Sequence, residues 1–155
     1  MAATAQVITI DRIPEIRRFG NADLSRHGKW LLPRLLKAYP HLNERGAASF
    51  LQQLSLSNEY LFLYQDNAVA LAQVLSTHTL SGKPLVQEHF VWLENPEDKQ
   101  QQLDGAWFYP EFRRWGKSCG CDVMVIEEMS DVPHELIRER LDKRIFTRQQ
   151  QFARI

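Results

Sequence analysis

The chain has few of the residues that define several common protein classes. Only two of its 155 residues are cysteines, Cys119 and Cys121, and this spacing is typical neither of a structural zinc pair nor of a disulfide staple. No apolar run approaches the length of a membrane-spanning helix. The first residues lack the basic and apolar regions of a secretory signal. We therefore expect free thiols, no bound metal, no membrane partner and a cytoplasmic location.

The chain also has no excess of either charge. Nineteen basic residues balance nineteen acidic ones, so no charge attracts nucleic acid, and we expect no nucleic-acid partner. Hydrophobic residues make up 44% of the sequence. At this length they are sufficient for one hydrophobic core, so a single domain over residues 1–155 is predicted.

The spacing of apolar residues changes along the chain between helical and strand-like periods. The predicted strands are Val7–Ile10, Tyr60–Tyr64, Ala68–Thr77, Leu85–Leu93, Asp122–Glu128 and Ile145–Ile155. The predicted helices are Leu24–Tyr39 with a break at Pro33, one capped by Asn43, Lys99–Ser118 interrupted near Pro110, and Pro133–Leu141 with Asp131 as a cap. A hairpin beside a strand-helix-strand unit predicts an α/β domain with a mixed sheet.

One segment points to a family. The strand Val86–Trp92, which reads Val-Gln-Glu-His-Phe-Val-Trp, and the Asn95-Pro96-Glu97 that follows resemble the GCN5-related N-acetyltransferase (GNAT) family, in particular its bacteriophage-type members. The resemblance implies a mixed, mostly antiparallel central sheet whose central strands splay apart. It also implies an acetyl-CoA pocket in the V between Val86–Leu93 and Asp122–Glu128.

The phosphate-binding loop of that family reads Arg/Gln-x-x-Gly-x-Gly/Ala, and this chain departs from it. One register keeps Gly105 but ends on Trp107, and the other keeps Ala106 but places Asp104 at a glycine position. A carboxylate facing pyrophosphate would weaken its binding by repulsion. The residues that the resemblance implies for cofactor binding are Trp92, Leu93, Lys99, Gln100, Gln101, Gln102, Gly105 and Ala106.

The resemblance also implies a general base on the first strand of the V, and Glu88 lies there. Strand alternation places Glu88 on one face with Val86 and Phe90, where burial would raise its pKa toward neutrality. The alternative is an inward acid that pairs with an arginine or caps a loop. His89 lies on the opposite face and is not expected to share the pocket.

The family often places a tyrosine that acts as the general acid in the region of the last helix, near the thiol. Here no tyrosine follows Tyr109, and His134 is the titratable substitute. The predicted function is therefore an acetyl-CoA-dependent N-acetyltransferase acting on a small-molecule or protein amine. The alternative is a catalytically inactive GNAT-fold phage protein, a virion component or a partner of a phage or host protein. The terminal strand offers an edge through which a homodimer would form.

Overall fold

The computed structural model describes residues 13–76, 82–127 and 130–141, together with the backbone of residues 145–146 and 151–154. The helices and strands, in chain order, are β1 Arg17–Arg18, α1 Asp23–Ala38, α2 Glu44–Leu56, β2 Tyr60–Gln65, β3 Ala68–Leu75, β4 Leu85–Leu93, α3 Lys99–Gly105, α4 Phe108–Ser118, β5 Val123–Ile126, α5 His134–Arg140, β6 Ile145–Phe146 and β7 Gln151–Arg154.

All described strands belong to one sheet, in the order β1-β2-β3-β4-β5-β7-β6. Neighbouring strands are antiparallel, with the exception of the parallel pair β4 and β5. The α3–α4 segment makes the crossover between these two strands, as a parallel connection requires. The predicted α/β fold with a mixed, mostly antiparallel sheet is confirmed.

The sheet has a separate apolar core on each face. On one face Phe62, Leu71 and Phe90 pack with the buried leucines of α1 and α2. On the other face Val91 and Leu93 pack with side chains of α4 and α5. Alternation along the strands produces this arrangement, because successive side chains point to opposite faces.

The alternation is broken once in β4, at His89. Ala72 of β3 is opposite Glu88 while Leu71 is opposite Phe90, so His89 is an extra residue, a β-bulge. The prediction that Glu88 and Phe90 share a face is therefore wrong. Glu88 lies on the α4 face with Val86, and Phe90 belongs to the core under α1 and α2.

The two central strands separate soon after they meet. β4 and β5 pair only at Val86 with Met124 and Gln87 with Val125. Beyond these pairs β4 continues to Leu93 without pairing to β5. This separation is the predicted splay of the central strands.

Several local predictions need correction. Helix α1 runs through Pro33 without a break, because Leu31 and Leu35 on either side of it are fully buried and their packing outweighs the lost hydrogen bond. Asn43 caps α2 as predicted, with its side chain accepting from Gly46 N. The predicted strand Ile145–Ile155 is instead two short antiparallel strands, β6 and β7.

The remaining differences lie at the two ends and in the α3–α4 crossover. The predicted strand Val7–Ile10 lies outside the described residues. The crossover helix ends at Gly105 and restarts at Phe108, so the interruption falls before Pro110. Asp131 does not cap α5, since Pro133 occupies the N-cap position.

Candidate active site

The centre of the candidate site is the carboxyl group of Glu88, which is completely buried where β4 and β5 begin to separate. The hydroxyl of Tyr109 donates to Glu88 Oε1 at 2.5 Å. The backbone N–H of Glu127, just after β5, donates to Glu88 Oε2 at 2.7 Å. Both carboxyl oxygens of Glu88 therefore accept a hydrogen bond, which fixes the orientation of the group.

Burial determines the proton affinity of Glu88. It raises the pKa from an ordinary 4.5 to about 8, because the charged form loses its hydration. The hydrogen bonds from Tyr109 and from the Glu127 backbone favour the charged form and offset only part of this effect. Glu88 therefore gains and loses its proton close to neutral pH, as a general base or acid requires.

Tyr109 connects Glu88 to the segment after β5. Its ring is buried on α4, and its hydroxyl lies 2.8 Å from Ser130 Oγ. Burial, and next the charge and hydrogen bond of Glu88, raise the pKa of Tyr109 well above 10, so the phenol stays neutral. Ser130 is half-buried. A continuous row of hydroxyl groups thus leads from the buried carboxyl group toward the surface.

A second polar cluster closes the far end of β4. The Asp131 carboxylate accepts the backbone N–H of Leu93 at 2.9 Å and pairs with Arg34 of α1 at 2.6 Å. Arg34 also donates to the Leu93 carbonyl at 3.1 Å. Its guanidinium lies 5.0 Å from the centre of the Trp92 ring. We call Arg34, Leu93 and Asp131 the clasp, since they join α1, β4 and the segment after β5.

The loop between β4 and α3 is held by its own side chains. Asp98 Oδ1 accepts the backbone N–H of Gln101 at 3.0 Å and so caps α3. The Gln101 side chain accepts Asn95 N at 2.8 Å, and the Gln102 side chain donates to the Pro96 carbonyl at 2.7 Å. The carboxylate of Asp98, at the start of α3, would repel an anion bound there.

The residues implied for cofactor binding do not all lie together. Gln101 and Gln102 brace the loop, Lys99 is exposed beside it, and Gln100 Nε2 donates to Asp104 at 2.9 Å on the next turn.

Of the other four implied residues, three lie in the interior and Trp92 is half-buried. Leu93, Gly105 and Ala106 are buried; a Cβ on Gly105 would lie 2.9 Å from Leu93 Cδ2, so this glycine permits α3 to approach β4. Trp92 stacks on Phe90 at 3.9 Å on the opposite face of β4.

The two histidines considered from the sequence lie at different places. His134 begins α5, and its Nε2 is 3.1 Å from the Glu127 carbonyl oxygen, so Glu127 contacts both His134 and Glu88. His89 Nε2 lies 2.8 Å from Gln73 Oε1 on the other face of the sheet. The prediction that Glu88 and His89 lie on opposite faces of β4 is confirmed.

Tyr109, Ser130, Arg34 and Asp131 were not predicted as parts of the site. Tyr109 lies within a dense aromatic run, which is typical of core packing. Asp131 lies 38 residues from Leu93 in the chain, and no local pattern links them. The one signal in the sequence was Ser130, because a polar residue in the connection between a buried strand and a helix can mark a functional position.

Within the described residues, no group of three or more histidines, cysteines and carboxylates is placed to hold a metal ion. In the same part of the chain no helix is long and apolar enough to cross a membrane. Cys119 is exposed and Cys121 is buried, and neither forms a disulfide.

Comparisons with known proteins give matches in structure alone. No family model matches the chain, and no curated protein does. An aminoglycoside 6′-N-acetyltransferase from Acinetobacter baumannii matches with TM-score 0.58 and 16% identity, over 87% of this chain and 91% of that one. Glucosamine-6-phosphate N-acetyltransferase from Arabidopsis thaliana matches with TM-score 0.55 and 13% identity, over 80% and 85%. An aminoglycoside N-acetyltransferase in complex with CoA matches with TM-score 0.53 and 17% identity, over 85% and 86%.

These similarities, with the splayed β4 and β5, show that the chain has the GNAT fold of the N-acetyltransferases. They confirm the fold that the sequence resemblance implied. They give no support to a bacteriophage origin.

Proposed function

We propose that the protein is an acetyl-CoA-dependent N-acetyltransferase that acts on a small-molecule amine, with Glu88 as its general base. The observation that carries this proposal is a buried carboxyl group of pKa about 8 at the separation of β4 and β5. Solved structures of the same fold support it, since they include acetyltransferases of small amines and one of them is in complex with CoA. Fold alone does not establish activity, so the proposal depends on Glu88.

The residues fit an acyl-CoA better at the separated strands than at α3. Beyond Gln87 the β4 backbone is not paired with β5 and is the part proposed to contact the extended chain of the cofactor. Lys99 supplies a positive charge near the loop. The negative charge of Asp98 repels the pyrophosphate, so the expected affinity for acetyl-CoA is modest. Lys99, Gln101 and Gln102 are the side chains proposed to hold the phosphates, and acetyl-CoA supplies the thioester that the amine attacks.

Proton transfer is the step that this chain's residues perform. An amine that arrives as an ammonium ion must lose one proton before its nitrogen can attack the thioester carbon. Ionised Glu88 is the final acceptor of that proton, which reaches the buried carboxyl group through the hydroxyl groups of Ser130 and Tyr109. A C–N bond then forms and the C–S bond breaks. The nitrogen releases a second proton, and the departing thiolate takes up one proton. We propose His134 as the donor to that thiolate.

The test is a thiol-release assay with acetyl-CoA and a panel of primary amines. Glu88→Gln keeps the shape of the side chain and removes its basicity, so the rate at neutral pH should fall by about 10²- to 10⁴-fold. Tyr109→Phe keeps the base but removes a hydrogen bond that lowers its pKa, so the pH-rate profile should move to higher pH. An unchanged rate in Glu88→Gln would remove Glu88 from this role.

A second candidate function is a GNAT-fold binding protein without catalysis. The specific observations in its favour are the Asp98 cap and the clasp, which occupy backbone groups of α3 and β4 with the protein's own carboxylates. This candidate predicts no thiol release with any amine and no binding of acetyl-CoA.

A further inference from the structure

One end of the sheet face that carries α1 and α2 is polar. Tyr60, Gln73 and Gln87 are directly opposite one another across β2, β3 and β4, and Val125 of β5 continues the row. His89 at the bulge and Glu127 after β5 lie beside this row. We call Tyr60, Gln73, Gln87, His89 and Glu127 the polar strip.

The members of the polar strip contact one another. Gln87 Nε2 donates to Glu127 Oε1 at 3.3 Å, and His89 Nε2 lies 2.8 Å from Gln73 Oε1. The His89 and Tyr60 rings have centroids 6.0 Å apart. All five side chains are half-buried. The strip is therefore a surface partly sheltered from water, with several donors and acceptors and one carboxylate.

The strip contrasts with the rest of the same face. Further along it, Phe62, Leu71 and Phe90 are buried under α1 and α2. Alternation would have allowed apolar side chains at the strip positions too, and the partial burial of polar groups is unfavourable unless they are hydrogen-bonded. Four of the strip side chains are hydrogen-bonded in pairs and all five are half-exposed, so their polar atoms can also form hydrogen bonds to a bound ligand.

The strip lies directly beside the proposed base. Gln87 and His89 flank Glu88 in β4, and the backbone N–H of Glu127 donates to the Glu88 carboxyl group. A ligand on the strip is thus separated from Glu88 only by the thickness of β4, at the point where β4 and β5 separate. This is the position from which an amine would reach a thioester held between the strands.

The charge of the strip favours a cation. Glu127 supplies a carboxylate, which accepts strong hydrogen bonds from an ammonium group. Tyr60 adds an aromatic ring, whose face attracts cations. At the end of α1, burial and then the charges of Tyr60 and Glu127 raise the pKa of Tyr39, which places a second tyrosine within electrostatic range of the strip.

We propose that the polar strip recognises the acceptor, and that the acceptor is a small polar molecule with at least two amino groups. One amino group is acetylated, while the other remains an ammonium ion on Glu127, with Gln73 and Gln87 hydrogen-bonding its polar substituents. This inference rests on the proposed function and names its substrate class and Glu127 as a specificity-determining residue.

Binding is tested first, without acetyl-CoA. The ¹H–¹⁵N spectrum of the whole protein is titrated with 1,4-diaminobutane. The side-chain amides of Gln73 and Gln87 should shift, and Glu127→Gln should weaken binding by about 10- to 100-fold, as expected for the loss of a charged hydrogen bond. Asp66→Asn is the matched control, because Asp66 is an exposed carboxylate at the opposite end of β2. Equal binding by Glu127→Gln and the wild type would overturn the proposal.

Turnover is tested next with two acceptors that share a four-carbon chain, 1,4-diaminobutane and n-butylamine. Glu127→Gln should raise KM for the diamine by about 10-fold or more while kcat stays within a few-fold. KM for n-butylamine should change much less. An equal effect on both amines would overturn the role of Glu127 in specificity. Diamine binding through Glu127 without acetyl transfer to any amine would instead overturn the proposed function and leave the strip as an amine site.

Discussion

The buried carboxyl group of Glu88 has a measurable effect on stability that needs no substrate. Folding raises its pKa from 4.5 to about 8, so between these values the folded protein retains a proton that the unfolded chain has released. Stability therefore falls as pH rises through this window. Below it both states are protonated and there is no penalty. Above it the full cost of a buried carboxylate is present.

The size of the effect follows from the pKa difference. At about 1.36 kcal/mol per pH unit, the change from 4.5 to about 8 corresponds to about 5 kcal/mol above the window and to about 3 kcal/mol near pH 7. The free energy of unfolding of a typical domain is about 5 to 15 kcal/mol, so the ionisation of Glu88 would change a large part of the total. Glu88→Gln removes the titration and keeps hydrogen-bonding capacity toward Tyr109 and the Glu127 backbone.

Urea unfolding followed by tryptophan fluorescence, from about pH 5 to pH 9, measures this difference. Glu88→Gln should become more stable relative to the wild type as pH rises, with the slope ending near pH 8. Tyr109→Phe is the matched control, because it keeps the carboxyl group and should extend the slope to higher pH. A difference that stays constant with pH, or that falls as pH rises, would refute the reasoning.

Charge, ion pairing and packing around the site give three further predictions. Asp98→Asn keeps the helix cap and removes its charge, so calorimetry should show acetyl-CoA binding about fivefold tighter or more; an unchanged dissociation constant would contradict this. Asp131→Ala should lower the free energy of unfolding by about 2 to 4 kcal/mol, because Arg34 loses its partner. Adding Arg34→Met should recover part of that loss, whereas additive losses would show that the two residues are uncoupled. Gly105→Ala should cost about 1 to 3 kcal/mol in urea unfolding, while Gly28→Ala, whose Cβ meets nothing closer than 3.7 Å, should not; equal effects would count against close packing at Gly105.

The sequence predicted the parts of the fold that depend on local patterns. Alternation identified β4, the turn residues after Gln65 identified the hairpin, and the side chain of Asn43 identified the start of α2. The bulge could not be predicted in this way. An extra residue such as His89 leaves no mark in the pattern of apolar residues, and it reverses the faces on which later side chains lie.

The candidate site was predictable only in part. The resemblance to the GNAT family identified Glu88 and the splayed strands, because both depend on the strand that carries the motif. Tyr109 and Asp131 depend on contacts over 21 and 38 residues. Such contacts arise from the packing of α4 and of the segment after β5, which no local spacing encodes. The sequence placed the mismatch with the family pattern at Asp104, whereas the carboxylate that caps the start of α3 belongs to Asp98, which the pattern did not single out.

Calorimetric titration of the wild-type protein with acetyl-CoA tests the central claim most directly, namely that the separated β4 and β5 hold an acyl-CoA beside Glu88. The account predicts saturable binding of one acetyl-CoA per chain, nearly unchanged in Glu88→Gln. No heat of binding at millimolar acetyl-CoA, for the wild type and for Asp98→Asn alike, would contradict it.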